Sequence, residues 1–211
     1  AQAGLTDTAE QGKSESRSLI ESWHGKGRNR YVITPRFAIS CSTEQLIAAG
    51  RLHEQYPGTY IQTHLSENKD EIDSTLSLCP DCQDYLEVYE RARLVTDRSI
   101  FGHCIHLSDS ECRRLVEASS VVAHCPTSNL FLGSGLFDMQ QANRVGMQTV
   151  LATDIGAGTS FSMLRTMGEA YKVQQLGGYP MSVFESLYKC TLGAAKALHL
   201  DDEIGCFGKG R

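Results

Sequence analysis

The stretch Tyr60–His64, which reads YIQTH, runs through residues typical of a β-strand into a histidine, and four other stretches repeat this plan. They are Tyr31–Arg36, Ser99–His103, Val121–His124 and Gln148–Asp154, and each ends in a side chain that can do chemistry. Helical patterns separate them, as in right-handed βαβ units with parallel strands. We therefore predict an α/β fold, a partial (β/α)8 barrel with about five parallel strands and their helices.

An open, doubly wound sheet is the competing architecture for five such strands. A nucleotide-binding sheet of that kind carries a glycine-rich phosphate loop directly after its first strand, and this chain has none there. In a barrel, by contrast, the carboxyl ends of the strands meet at one mouth. The ionisable residues at the strand ends favour a barrel mouth built for hydrolysis.

Length and composition indicate one domain over residues 1–211. The chain is 41% hydrophobic and 21% charged, and it contains no apolar run of the roughly 18 residues that a membrane span needs. The net charge of −5 gives no basic surface for a phosphate backbone, which argues against nucleic acid as a partner. Without a signal segment or a membrane span, we expect a cytoplasmic protein with a small neutral substrate.

Helix signals fill the intervals between the strands. The predicted helices are Ala9–Trp23, one opened by a capping box at Ser42–Gln45, Asn68–Leu78, Asp109–Ala118, one ending at Gly146, Ser162–Gln175, Val183–Thr191 and Ala194–Leu198. We interpret Cys79–Arg93 as a long polar and aromatic connection.

The segment Thr63–Asn68 (THLSEN) joins a strand-end histidine to a carboxylate three residues later. His64 could bind a metal while Glu67 carries a proton between a water molecule and a leaving group. The alternative is a histidine bonded to a backbone carbonyl and a glutamate that favours the first turn of a helix. From these residues alone both interpretations stay open.

Three further strand ends carry candidate residues. We expect His103 to face the mouth and His106 to be solvated in the following loop. The segment His124–Asn129 (HCPTSN) could line a pocket or make turn hydrogen bonds. Asp154 is costly to bury unless it is paired or binds a metal, and its alternative is to cap the next turn.

The eight cysteines have no regular spacing, so we interpret them as reduced thiols packed as small hydrophobic groups. Cys79 and Cys82 have the spacing of zinc ligands, but no second pair follows at the spacing of a zinc finger. We interpret them as a loop pair.

Six motifs together resemble the amidohydrolase superfamily, in particular its members that act on guanine. These motifs are TPRF (34–37), THLSEN (63–68), GHCIHL (102–107), HCPTSN (124–129), LGSGL (132–136) and TDIGAG (153–158). The resemblance extends from about Leu19 to the end of the chain.

This resemblance implies one zinc ion in a barrel mouth and hydrolysis of guanine to xanthine and ammonia. It implies that His64 and Asp154 are zinc ligands and that Asp154 also accepts a proton from the attacking water. It further implies that His103 donates a hydrogen bond to that nucleophile.

The resemblance also assigns the substrate-binding residues. Arg36 and Phe37 are expected to hold the base, with His64 and Glu67 next to it. Glu67 is expected to transfer a proton to the purine ring.

One family motif is missing. The superfamily supplies two zinc ligands from a His-x-His pair, and no two of the seven histidines are two residues apart. We therefore expect a fragment, the later portion of an amidohydrolase barrel, which by itself lacks two donors for tetrahedral zinc. The alternatives are an aminohydrolase or chlorohydrolase for a related heterocycle, or a non-catalytic barrel remnant. Open strand edges would allow association, for example as a homodimer.

Overall fold

A five-stranded, fully parallel sheet forms the centre of the computed structural model, which describes residues 6–209. Each strand pairs with the strands before and after it in sequence. This topology confirms the predicted partial barrel. The strands are β1 (Val32–Ile33), β2 (Tyr60–Leu65), β3 (Ser99–His103), β4 (Val121–His124) and β5 (Gln148–Leu151).

Helices separate the strands along the chain. Within residues 6–209 they are α1 (Ala9–Trp23), α2 (Thr43–Gln55), α3 (Lys69–Leu78), α4 (Tyr85–Arg91), α5 (Asp109–Glu117), α6 (Pro126–Leu132), α7 (Met139–Val145), α8 (Met163–Leu176), α9 (Val183–Cys190) and α10 (Leu192–Ala197), with a 3₁₀ turn at Ala38–Ser40. None of these helices combines the length and the apolar character needed to cross a membrane.

Capping side chains determine where several helices begin. The side chains of Ser42, Asn68 and Ser108 each accept a hydrogen bond from a main-chain N–H of the first turn. At Asn68 and Ser108 the glutamate three residues later bonds back to the cap, which satisfies two otherwise unpaired donors.

The register of the sheet aligns the carboxyl ends of its central strands. His64 pairs with Gly102, and Gly102 pairs with Ala123. On the helix-covered face, Ile61, Phe101 and Val122 are fully buried. They belong to the main hydrophobic core, which includes residues of α4, α5 and α7. This packing holds the strand ends at a common level.

Two predicted strands are shorter in the structure. The stretch Tyr31–Arg36 forms a strand only over Val32–Ile33, because Pro35 has no N–H to continue the ladder. Strand β5 ends at Leu151, so Asp154 lies in the loop that follows it. Both strands still deliver their predicted residues to the same edge of the sheet.

Two helices of the structure are not predicted by the sequence analysis. Helix α4 lies inside Cys79–Arg93, which is predicted as a connection. Helix α6 begins at Pro126, inside the HCPTSN segment that is predicted to line a pocket or to form a turn. Each helix has seven residues, too few to show a full apolar period. Proline is well suited to the first turn of a helix, where its missing N–H costs nothing.

The close contact between α2 and the end of α4 gives a stability prediction. A Cβ atom on Gly50 would lie 1.9 Å from the carbonyl oxygen of Ala92, which is backbone and cannot rotate away. We expect Gly50→Ala to lower the free energy of unfolding by about 3 kcal/mol or more. Gly168 in α8 is the matched control, because a Cβ there meets nothing within 4 Å.

We expect Gly168→Ala to raise the free energy of unfolding by about 0.5–1 kcal/mol, since alanine is the better helix former. Urea unfolding of both variants measures the difference. Equal effects of the two substitutions would contradict the close packing of α2 against α4.

Candidate functional site

A cavity of about 150 Å³ lies at the carboxyl ends of the strands. His64, His103, Cys125 and Asp154 are among its lining residues. They come from the ends of β2, β3, β4 and β5, so the structure brings three of the predicted site residues together, with Cys125 added. The arrangement is that of a barrel mouth.

One ring nitrogen of His64 makes a hydrogen bond to the backbone. Its Nδ1 lies 2.6 Å from the carbonyl oxygen of Arg36. Since a carbonyl only accepts, Nδ1 carries the proton and Nε2 keeps its lone pair. A histidine that donates one N–H to a backbone carbonyl and leaves the other nitrogen free is the usual form of a metal ligand.

The backbone turns sharply where β3 ends. His103 and Cys104 have φ angles of 72° and 53°, a left-handed region that non-glycine residues rarely occupy. This turn breaks the alternation of the strand and brings the His103 ring against that of His64, with 5.1 Å between the ring centroids. Strain of this kind clusters at functional sites, where the surrounding structure sustains it.

Asn129, in the middle of α6, contacts the His103 ring. Its Nδ2 lies 3.0 Å from His103 Nδ1. In this arrangement Nδ1 accepts and Nε2 carries the proton, so His103 can donate into the mouth. Burial, and then the neighbouring His64, lower the pKa of His103 to about 4. The imidazole is therefore neutral near pH 7.

The donor atoms of His103, Cys125 and Asp154 lie within 4.8 Å of one another. Nitrogen, sulfur and oxygen are the atoms that bind zinc in proteins. Asp154 has a left-handed φ of 46°, which again marks a constrained strand end. This cluster offers the kinds of donor atom that zinc prefers, and His64 lines the same cavity.

The Glu67 side chain lies in the loop between β2 and α3. Its Oε1 accepts a hydrogen bond from Ser134 Oγ at 3.2 Å and lies 3.7 Å from His103 Nδ1. Partial burial raises the pKa of the Glu67 carboxyl, and the Ser134 hydrogen bond opposes that shift. Glu67 thus holds its proton more readily than an exposed glutamate does.

The glycine-rich segment 132–136 covers Glu67. His106 anchors this segment, because its Nε2 lies 2.9 Å from the carbonyl oxygen of Ser134. The expectation of a solvated His106 is therefore wrong: the ring is partly buried. Gly135 is required here, because a Cβ would lie 2.9 Å from Ile105 Cγ2.

Arg36 and Phe37 lie at the rim beside His64. The ring centroids of Phe37 and His64 are 5.4 Å apart, and Arg36 Cζ is 5.2 Å from the Phe37 ring centroid. Arg36 is exposed. A flat ring could therefore lie against Phe37 with a guanidinium at its edge.

His124 does not face the mouth. It is fully buried on the helix-covered face, stacked on Phe137 at 4.8 Å between ring centroids. Neither ring nitrogen has a hydrogen-bond partner within residues 6–209. Its place on β4 explains this, because it alternates with Ala123, which lines the cavity.

Sequence reasoning missed three residues of the site. Cys125, Asn129 and Ser134 all lie in motifs that the sequence had drawn attention to, HCPTSN and LGSGL. The residue types in these two motifs do not show whether a side chain reaches the mouth or makes a turn hydrogen bond. Cys79 and Cys82, by contrast, lie outside the site and pack against the main core.

The family model for the amidohydrolase family matches residues 3–211, and the chain belongs to that family. A guanine deaminase of Escherichia coli strain K12 is 52% identical over 207 residues, which are 98% of this chain and 47% of that protein. A solved structure of E. coli guanine deaminase has a TM-score of 0.96 to this chain, covering 98% of it and 48% of that chain. The chain spans about half the length of the curated relatives it matches.

Two further structures extend the comparison. A guanine deaminase from C. acetobutylicum with bound guanine in the active site has a TM-score of 0.92 at 30% identity, covering all of this chain and 51% of that chain. An adenosine deaminase from Xanthomonas campestris with bound zinc has a TM-score of 0.88 at 22% identity, covering 97% of this chain and 47% of that chain. At that identity the second structure shows a shared fold alone.

The burial of His124 gives a prediction about pH. Burial lowers the pKa of His124 from 6.5 to about 3. The unfolded chain therefore binds a proton below about pH 6.5 that the folded protein does not, so stability is lost as the pH falls towards 3. Between pH 7 and pH 5 this amounts to about 2 kcal/mol.

We expect His124→Leu to remove this share of the pH dependence when urea unfolding is compared at pH 7 and pH 5. Phe137→Leu keeps the histidine and is the control, which should lose stability at both pH values and keep the slope. An unchanged slope in His124→Leu would show that the histidine takes up its proton without unfolding.

Proposed function

We propose that this chain contributes the active site of a guanine deaminase, which hydrolyses guanine to xanthine and ammonia with one zinc ion. The observation that carries the proposal is the His64 imidazole, whose Nδ1 is bonded to a carbonyl while the ring stacks on His103 and lines one cavity with Cys125 and Asp154. The relatives at 52% and 30% identity support guanine as the substrate.

The proposed zinc ion would be held by His64 and Asp154. When bound, zinc supplies a water molecule with a pKa of about 7 and so a nucleophile near neutral pH. Two protein ligands are fewer than catalytic zinc sites use, so we propose that further ligands come from polypeptide outside this chain. The residues 1–211 would then be one domain, the later portion of the barrel.

Side chains of this chain would carry out the proton transfers and orient the attacking water. Asp154 would accept a proton from the attacking water, and His103 would orient that water through its Nε2–H. Glu67 would transfer a proton to the ring nitrogen of the base next to the carbon under attack. The amino group would leave as ammonia with the proton that Asp154 took from the water, and the hydroxyl added to that carbon would return its proton to Glu67 as the carbonyl forms. A carboxyl whose pKa is raised by burial is suited to that transfer.

Arg36 and Phe37 would bind the purine. Phe37 offers a ring face beside His64, and the exposed guanidinium of Arg36 could donate to an acceptor at the edge of the base. His64 and Glu67 would contact the base from the other side. The cytoplasmic location and a homodimer stay predictions that these contacts do not address.

A related heterocycle is the second candidate substrate. The fold shared with the X. campestris adenosine deaminase supports this alternative at the level of the fold. Ammonia release from a panel of purines, pterins and triazines separates the two, since the proposal requires guanine to be preferred.

Glu67 gives the sharpest test of the mechanism. In the complete zinc-loaded enzyme, we expect Glu67→Gln to lower kcat by roughly 10²–10⁴-fold, because the amide cannot carry the proton. Zinc content, measured by atomic emission, should not change. Glu87→Gln is the matched control, because Glu87 bonds Arg91 on the surface of α4 and should leave kcat unchanged.

Activity of Glu67→Gln within threefold of the wild-type value would remove Glu67 from its proposed role. The isolated chain offers a second measurement. If residues 1–211 alone bound zinc and released ammonia from guanine, the proposed need for further ligands would be wrong.

A further inference from the structure

We propose that Glu71, Tyr85 and Tyr89 form a buried cluster, joined by hydrogen bonds and a tyrosine ring stack, that holds His64 and Glu67 in place for the reaction. The inference rests on the proposed function, because it assigns these three as positioning residues for that site. None of them lines the cavity or contacts its donor atoms directly.

The hydroxyl group of Tyr89 joins two strand ends. It donates to the main-chain carbonyl of His64 at 2.8 Å and accepts from the main-chain N–H of Ala38 at 3.1 Å. Its third partner is Thr63 Oγ1, at 3.0 Å. One buried hydroxyl therefore fixes the histidine at the end of β2 relative to the segment that carries Arg36 and Phe37.

The carboxylate of Glu71 fixes the backbone of Glu67. Its Oε2 accepts from the main-chain N–H of Glu67 at 2.9 Å and lies 3.4 Å from that of Asn68. Its Oε1 accepts from the Tyr85 hydroxyl at 2.7 Å. Glu71 is only 5% exposed, so these donors replace the water that the charge has lost.

The two tyrosines connect these halves. Their hydroxyl oxygens lie 3.4 Å apart, but each phenol gives its one proton elsewhere, Tyr85 to Glu71 and Tyr89 to the His64 carbonyl. The ring stack, with 5.5 Å between centroids, therefore joins the two residues. Both rings are fully buried, and burial raises the pKa of each phenol above its ordinary value. The hydroxyls therefore keep their protons at any working pH and stay donors.

This connection explains why α4 carries two tyrosines four residues apart. Residues with that spacing lie on one face of a helix, so both hydroxyls reach the same end of β2. Each could have been phenylalanine if packing alone were needed. A displacement of about 1 Å at a catalytic group can cost about 10²-fold in rate.

The test is Tyr89→Phe in the complete zinc-loaded enzyme. We expect kcat to fall by about 10–100-fold, because the variant loses the hydroxyl that fixes His64 relative to the segment carrying Arg36 and Phe37. Tyr179→Phe is the matched control. Its hydroxyl bonds the side chains of Asn143 and Glu185, and both lie outside the site.

A selective loss in Tyr89→Phe, with Tyr179→Phe within about twofold of wild type, supports the proposal. Equal kcat values in the two variants would overturn it, since each variant loses one partly or fully buried tyrosine hydroxyl. If Tyr89→Phe does not fold, Tyr85→Phe replaces it, because it breaks only the contacts to Glu71 and Tyr89. There we expect a loss of about 3–10-fold, and an unchanged kcat would overturn the proposal.

Zinc affinity separates this inference from the proposed function. If the wild-type enzyme does not release ammonia from guanine, the proposed function fails, and competition with a chelator still tests the positioning of His64. Outer residues that orient a ligand typically contribute about tenfold to metal affinity. Weaker zinc binding in Tyr89→Phe than in Tyr179→Phe would then support the network, and equal binding would overturn it.

Discussion

Parallel strands in register place every carboxyl end at one edge of the sheet, and the whole site depends on this constraint. The pairing of His64 with Gly102 and of Gly102 with Ala123 brings three strand ends to the same level. Residues that are far apart in sequence, such as His64 and Asp154, can then contact one cavity. A shift of one residue in this register would turn His64 towards the helix-covered face.

The strand ends themselves are irregular, and the irregularity is sustained by the regular part of the fold. Ser66, His103, Cys104 and Asp154 all adopt left-handed backbone conformations. The end of β3 is held by hydrogen bonds from the N–H groups of Cys104 to Leu65 and of Ile105 to Ser66. Tightly packed strands behind these turns give the backbone no way to relax. Four ordinary side chains are therefore held in positions that a flexible loop would not maintain.

The parts of the molecule that the sequence predicted are those decided by local patterns. Helix α1 and strands β3 and β4 have the predicted bounds, because apolar periodicity and caps act over a few residues. Once the strands are known to be parallel, the site residues are expected at one end of the sheet. These residues are Arg36, His64, Glu67, His103 and Asp154. Helix α4, the contact of Asn129 with His103 and the inward position of Cys125 depend on tertiary packing, and no short pattern encodes them. His124 shows the same limit, since strand-end position alone does not decide which face a side chain takes.

Two glutamates four residues apart show how the surroundings divide one residue type between two tasks. Glu71 accepts from a main-chain N–H and a phenol, at 2.9 and 2.7 Å, inside a capped helix start. The Glu67 carboxyl lies at the mouth and accepts a hydrogen bond from Ser134, and burial raises its pKa. The first carboxylate is fully committed to hydrogen bonds and suits a fixed support. The second keeps free acceptor positions and a readily held proton, and a group that transfers protons needs both. Because Glu71 accepts a hydrogen bond from the main-chain N–H of Glu67, the fixed position of the Glu71 carboxylate also fixes the backbone that carries the Glu67 side chain.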